Sequence, residues 1–392
     1  MISHGFRMMW NQKKKYGFIL FELFAIFLVV FITVLYLTER ITTYMEGTGC
    51  EIDNVYFMDI ATQSPDHTPE LEHFRKVRDR LAAMKSVESV SMTRGASPYR
   101  GSISTSTFEY GENRTTAHIH QADDAYPSVL KVEVILGRWF NPEDDHSSLE
   151  IPVVINRLMA NRLFGDEDPV GNVIPGRRRN YVVKGVISKF KERDYDSRRP
   201  HIFMDIQHPN NDFHGSNMLI RYKNGYQPQP KEYAQNIYSV MPRDQYRIVQ
   251  SSRLEGMKKR MNSNYSGDIL FVSLIVGFLL FNLVLGLIGI LGYNINQRWS
   301  EMGIRRAVGS TRARVRRLIF LEMFALTVMA IVPAFIVIVQ IPAFEFMPLT
   351  WVLFAKAMVI SLTLIFFLVF ISVLYPGIMA SKIRPAVALK EE

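Results

Sequence analysis

Apolar residues gather in four long runs, one near the start of the chain and three near its end: Gly17–Leu37, Ile269–Tyr293, Leu318–Gln340 and Trp351–Tyr375. At ~1.5 Å per helical residue, each crosses a hydrocarbon layer of ~30 Å with some tilt, and soluble core helices seldom sustain such runs. Transmembrane helices are therefore predicted at about residues 17–38, 268–293, 317–340 and 351–375. The first has the positive start of a signal peptide. Its apolar region is too long for one, however, and no small-x-small site follows Tyr36, so it reads as an uncleaved membrane helix.

Residues 39–265, between the first two runs, are polar and carry shorter periods. Val55–Ile60 reads as a strand and Val87–Thr93 as another. Between them Pro69–Ser86 spaces Leu71, Phe74, Val77, Leu81 and Met84 by three or four, the mark of an amphipathic helix. The same order returns late, in Asn217–Tyr222, Gln229–Met241 and Tyr246–Gln250. Two flanking β–α–β units predict a subdomain from about 50–95 and 215–262 that resembles a ferredoxin-like porter module. The middle, about 100–212, reads as strand-rich with one helix at Asn156–Phe164, and Gly95–Gly111, with Tyr99 and Tyr110, as an ordinary loop. Arg253–Asn262 is a basic amphipathic connector. The fold class expected is an α-helical membrane protein with four transmembrane helices, plus a large α+β extracytoplasmic domain inserted between helices 1 and 2.

The net charge of +9 changes meaning once its location is seen. Arg7, Lys13, Lys14 and Lys15 precede the first run, and Arg298, Arg305, Arg306, Arg312, Arg314, Arg316 and Arg317 fill the turn between the second and third. The turn Ile341–Thr350 holds Glu345 and neither Lys nor Arg. This asymmetry predicts that both termini and the 294–317 turn are cytoplasmic and that residues 39–265 lie outside. The basic excess is then topology, and no nucleic acid is expected as a partner. Residues 1–16 suit a helix lying in the cytoplasmic interface, in contact with membrane lipid. Glu22, one turn inside the first span, reaches headgroups or a neighbouring helix. Cys50 stands alone, which excludes an intramolecular disulfide and leaves its role open.

The 294–317 turn has a pattern of its own. Glu301–Val308 makes about two helical turns, Gly309 is placed to end them in the left-handed region, and Ser310 or Thr311 can cap the helix that follows. Met302, Ile304 and Val308 are apolar on this basic turn, and Glu301 and Arg305 stand four residues apart, close enough to pair. In the second span Gly286, Gly289 and Gly292 recur every three residues, a face that lets another backbone approach. Pro333 in the third span is tolerable there and marks a possible kink.

The stretch Leu287-Ile-Gly-Ile-Leu-Gly-Tyr-Asn-Ile-Asn-Gln-Arg-Trp-Ser-Glu-Met-Gly-Ile-Arg-Arg-Ala-Val-Gly-Ser-Thr, with Leu318-Ile-Phe-Leu-Glu-Met-Phe downstream, resembles the FtsX-type permease domain of MacB-like ABC transporters. Gly137–Asp145, Val153–Gly171, Tyr181–Ile187 and Tyr375–Leu389 agree with that family's periplasmic core domain and tail. The resemblance runs nearly the full length, in order. It implies a type VII ABC permease working by mechanotransmission, with residues 39–265 as a periplasmic core domain and 266–392 as the permease domain. Two permease chains, alike or merely similar, would pair, and each would dock on a cytoplasmic ATPase. The docking element implied is a coupling helix of Glu301, Met302, Gly303, Ile304, Arg305, Arg306, Ala307, Val308 and Gly309. Gly286, Gly289 and Gly292 would pack membrane helices, and Glu322 is a candidate for transmission. The family sits in the bacterial inner membrane and handles lipoproteins, peptides, drug-like molecules or envelope partners on the far side. A periplasmic or outer-membrane partner is expected by the same resemblance.

Gly-x4-Gly-Lys-Ser/Thr is missing from these residues, so the ATPase is expected on a separate subunit, with ATP and Mg acting through it and no cofactor bound directly. No His-Glu-x-x-His, Gly-x-Ser-x-Gly or catalytic cysteine context appears, and no catalytic residue is expected. His118 and His120 share one face of a strand, but two histidines are too few for a metal site and read as surface polar residues. The rival reading is a membrane-anchored sensor or scaffold of the envelope, which would need no ATPase.

Overall fold

A computed structural model describes residues 13–63, 70–100, 104–141, 143–144, 149–176, 179–209, 211, 216–226, 230–297, 299–343 and 349–381. The chain opens with α1 (Lys13–Met45) and continues with β1 (Val55–Thr62), α2 (Leu71–Ala82), β2 (Val87–Arg94), β3 (Ser104–Tyr110) and β4 (Asn113–Ala122). Next come α3 (Tyr126–Leu130), β5 (Val134–Gly137), β6 (Ile151–Asn156), α4 (Arg157–Phe164), β7 (Val173–Ile174), β8 (Tyr181–Ile187) and β9 (His201–Asp205). The domain closes with β10 (Asn217–Tyr222), α5 (Pro230–Tyr238) and β11 (Tyr246–Arg253). Then follow α6 (Leu254–Gln297), α7 (Trp299–Ala307), α8 (Arg312–Ile338), α9 (Gln340–Ala343) and α10 (Trp351–Ser381). These elements fall into two units, one of residues 1–42 with 266–392 and one of residues 43–265.

Among the described residues α1, α6, α8 and α10 each hold a segment long and apolar enough to cross a membrane, one for each predicted span. The side chains facing inward are Phe27, Phe31, Leu283, Leu287, Met323, Leu326, Ala357 and Ile365 among others. Aromatic pairs close the seams: Phe31 on Phe354 at 5.3 Å, Phe320 on Phe370 at 5.5 Å and Phe324 on Phe366 at 5.0 Å between ring centres. Helix α8 runs on through Pro333 and α10 through Pro376. The predicted interfacial helix at 1–16 lies largely outside the described residues.

The other unit is built on one sheet of order β11-β1-β10-β2-β4-β9-β6-β8-β5, with β3 added to β4 and β7 to β8. Strands from the two ends of the domain are antiparallel neighbours, whereas β4 with β9 and β6 with β8 run parallel. The two halves join where Thr93 and Arg94 of β2 pair with Ala122 and Gln121 of β4. Helix α2 buries Phe74, Val77 and Leu81, the residues its spacing predicts, against Met58, Met92 and Met218. Each such side chain contributes ~1.5–3 kcal/mol through burial. One expectation fails in part: the later stretch of Gly95–Gly111 is not loop, because Ser104–Tyr110 forms β3 in a hairpin with β4. Its Thr and Ser residues suit an exposed strand, with Thr107 opposite Thr116.

Candidate functional site

The turn between α6 and α8 folds much as its residues dictate. Helix α7 ends at Ala307, Gly309 follows at φ +96°, and Ser310 N–H donates back to Arg305 O at 3.0 Å. A side chain at Gly309 would pay for the left-handed backbone, so glycine sits where the chain must reverse. Thr311, not Ser310, caps α8, its side chain accepting from Arg314 N–H at 3.3 Å.

Its side chains do not share one role. Met302 is 1% exposed and belongs to the core of the helical unit, so it is not part of a docking face, contrary to the expectation. The reason is helical geometry: Met302 and Ile304 are two residues apart and point to opposite sides of a short helix. Ile304 and Val308 lie four apart on the outer side, 50% and 84% exposed. Arg305 and Ala307 are exposed, Gly303 is buried, and Arg306 is half-buried with Nη1 donating to Ser310 O. The Glu301 side chain lies outside the described residues. Glu322 is half-buried about three turns into α8.

The glycine face divides as well. A Cβ on Gly286 would stand 2.8 Å from Glu22 Oε1, while Gly289 and Gly292 face open space. Glu22 thus reaches a neighbouring helix, one of the two sites open to it from sequence. Close packing uses one of the three predicted glycines.

In the domain of residues 43–265, the connection between β8 and β9 gathers polar chemistry that the sequence reading passed over. Lys191 is 2% exposed, and its Nζ donates to Thr43 O and to Asp194 O. Burial lowers its pKa from the usual lysine range. Asp194 accepts from Asn262 Nδ2 at 2.7 Å and from Tyr99 OH at 3.1 Å, and Lys258 Nζ lies 3.4 Å away. Tyr195 lies between Tyr44 and Tyr265, 5.1 Å from each ring. One short connection therefore holds the last residues of α1 and the first turns of α6.

The neighbouring Glu192 lies in a cluster of histidines. His118 and His120 share a face of β4, as their spacing implies, but they are 6% and 1% exposed rather than on the surface. Parallel pairing of β4 with β9 places His118 level with His201, itself 2% exposed. Asn156, at the start of α4, fixes that register: its Oδ1 accepts from His201 N–H and its Nδ2 donates to Arg199 O. Burial pushes the His120 imidazole down to about 4 and that of His201 well below its usual range, so both are neutral at pH 7. Sequence reasoning missed Glu192 and His201 because some eighty residues separate them from β4 and only strand pairing brings them together.

Two family models match. The MacB-like periplasmic core domain covers residues 23–232, and the FtsX-like permease C-terminal domain covers 272–385. Over 252 residues the chain is 24% identical to a macrolide export ATP-binding/permease protein MacB from Neisseria meningitidis serogroup A, covering 61% of this chain but 37% of that protein. It is 23% identical over 226 residues to the uncharacterised ABC transporter permease YknZ of Bacillus subtilis, covering 56% of this chain and 55% of YknZ. The chain thus spans little more than a third to about half of the length of these relatives. Among solved structures, the periplasmic region of MacB from Actinobacillus actinomycetemcomitans aligns with 55% of this chain and 94% of its own, at 14% identity and a TM-score of 0.39.

Proposed function

The chain belongs to the MacB-like, FtsX-type family of ABC transporter permeases, and from that premise we propose that it couples ATP hydrolysis by a cytoplasmic partner ATPase to movement of its 43–265 domain. The observation that carries this reading is the outer face of α7. A solvated basic turn has no need to expose Ile304 and Val308 side by side, and an apolar pair rimmed by Arg305 suits a groove in a partner protein. Both termini and α7 are cytoplasmic in this reading, because the Lys and Arg residues flank those ends of the spans. The domain of residues 43–265 then lies in the periplasm, and the spans lie in the inner membrane.

The chain has no ATPase activity of its own in this reading; ATP and Mg act through the partner. Two permease chains pair, and the work reaches the substrate at the outer domain rather than through a central pore. Lipoproteins, peptides and drug-like molecules are the classes it admits, with an envelope partner on the far side.

The test is co-purification of the detergent-solubilised chain with its ATPase, as wild type and as Ile304→Asp/Val308→Asp. Capture by wild type and loss in the variant, with unchanged thermal stability, supports docking at α7. Equal capture by both moves the docking surface elsewhere. If wild type captures no ATPase, the transporter reading gives way to an envelope sensor or scaffold.

A further inference from the structure

We propose that His118, Glu192 and His201 form a binding site for a divalent transition metal of the zinc class. Each offers one ligand atom, all within 4.8 Å of one another, and all three side chains are buried. A tetrahedral zinc ion with bonds of ~2.0–2.1 Å holds its ligands ~3.3–3.5 Å apart, so small rotamer movements bring this set onto a cation. His118 Nδ1 and Glu192 Oε1 already stand 3.0 Å apart.

The hydrogen bonds around the cluster orient the ligands as an outer shell does. Gly95 O can only accept, so the 2.6 Å contact puts a proton on His120 Nδ1. With that proton on Nδ1, His120 Nε2 is the acceptor of the 2.8 Å contact and His201 Nδ1 its donor. That leaves the lone pair of His201 on Nε2. A ring nitrogen freed for a cation while the other donates to a fixed acceptor is the usual arrangement of a ligating histidine. His120 is therefore a positioning residue rather than a ligand. Two imidazoles and one carboxylate favour zinc or its neighbours over calcium or magnesium, which take oxygen donors.

The surroundings assign the site a holding role. Phe190 and Phe203 pack at 5.3 and 4.8 Å from the His120 ring and give the cluster an apolar wall. Glu192 sits on the same connection as Lys191 and Asp194, which hold the end of α1 and the start of α6. A cation tying Glu192 to β4 and β9 would stiffen that connection.

The full chain in detergent, stripped with chelator and dialysed, is titrated with Zn²⁺ and separately with Co²⁺. The expected result is one Zn²⁺ per chain, visible Co²⁺ absorption of a four- or five-coordinate site, and slower amide exchange at 189–199 and 254–265 on loading. His201→Gln and Glu192→Gln should each weaken uptake by more than tenfold, and His120→Gln by about 10- to 100-fold through misorientation of His201. If a variant does not fold, the wild-type Co²⁺ spectrum decides. Absence of stoichiometric metal and of that absorption in wild type, or equal uptake by a folded H118Q/E192Q double variant, overturns the site.

Discussion

Glu22 and Gly286 meet within the helical unit: Glu22 Oε1 lies 2.8 Å from where a Cβ on Gly286 would stand. The acid and the missing side chain fit each other, since the carboxylate occupies space that any other residue at 286 would claim.

The effect of substitution there is graded. Gly286→Ala should be tolerated, because only the flexible end of Glu22 must swing away. Gly286→Leu should destabilise the unit by ~1–3 kcal/mol through overpacking, and Glu22→Ala should restore much of the loss. Gly289→Ala should leave the isolated chain unchanged, as nothing lies within 4 Å. Thermal unfolding in detergent checks each of these; a Gly289→Ala loss equal to that of Gly286→Leu would refute the assignment.

Buried and exposed positions of α7 should separate cleanly. Met302→Ala is expected to cost ~2–5 kcal/mol as a core truncation. Val308→Asp, on the exposed face, should stay within about 0.5 kcal/mol of wild type in stability. Gly309→Ala should cost ~1–2 kcal/mol from the left-handed backbone alone. Melting curves of the three variants measure this order.

Removing Asp194 should loosen one end of α6. Asp194→Ala strips the acceptor of Asn262 and Tyr99 and leaves the Lys258 ammonium without its carboxylate. Amide exchange is expected to rise at 254–265 while the β6–β8 core keeps its protection. Unchanged exchange at 254–265 would show that the tyrosine stack alone holds the helix.

Cys50 gives a pH prediction. Burial pushes its thiol up from 9.0 to about 12 in the folded chain. Because the folded value is the higher, this group's contribution to stability is complete below pH 9 and drains away as pH climbs from there toward 12. At neutral pH, maleimide labelling should run slower than in denatured chain, since thiolate is the reactive form. Alkaline melts of wild type against Cys50→Ala test the first statement, and labelling kinetics the second.

Local pattern carried the long apolar spans and the shorter elements with clean periods. The spacing of Phe74, Val77 and Leu81 and the helix near Asn156–Phe164 both rest on contacts within a few residues. So did the end of α7 at Gly309. The spacing rule stopped short at Ser104–Tyr110, because that strand is exposed along its first four residues and buries only Phe108.

The sequence by itself determined that this is a four-span membrane protein with an α+β domain between its first two spans. Length, hydropathy and loop charge are properties of the local chain that need no partner to be read. Tertiary structure decided which side of α7 faces inward, which glycine is packed, and that three histidines and a glutamate are buried together. Those depend on register between strands far apart in sequence. One-residue differences in pairing would send His118 and His201 to opposite faces of the sheet, and no local period encodes that choice.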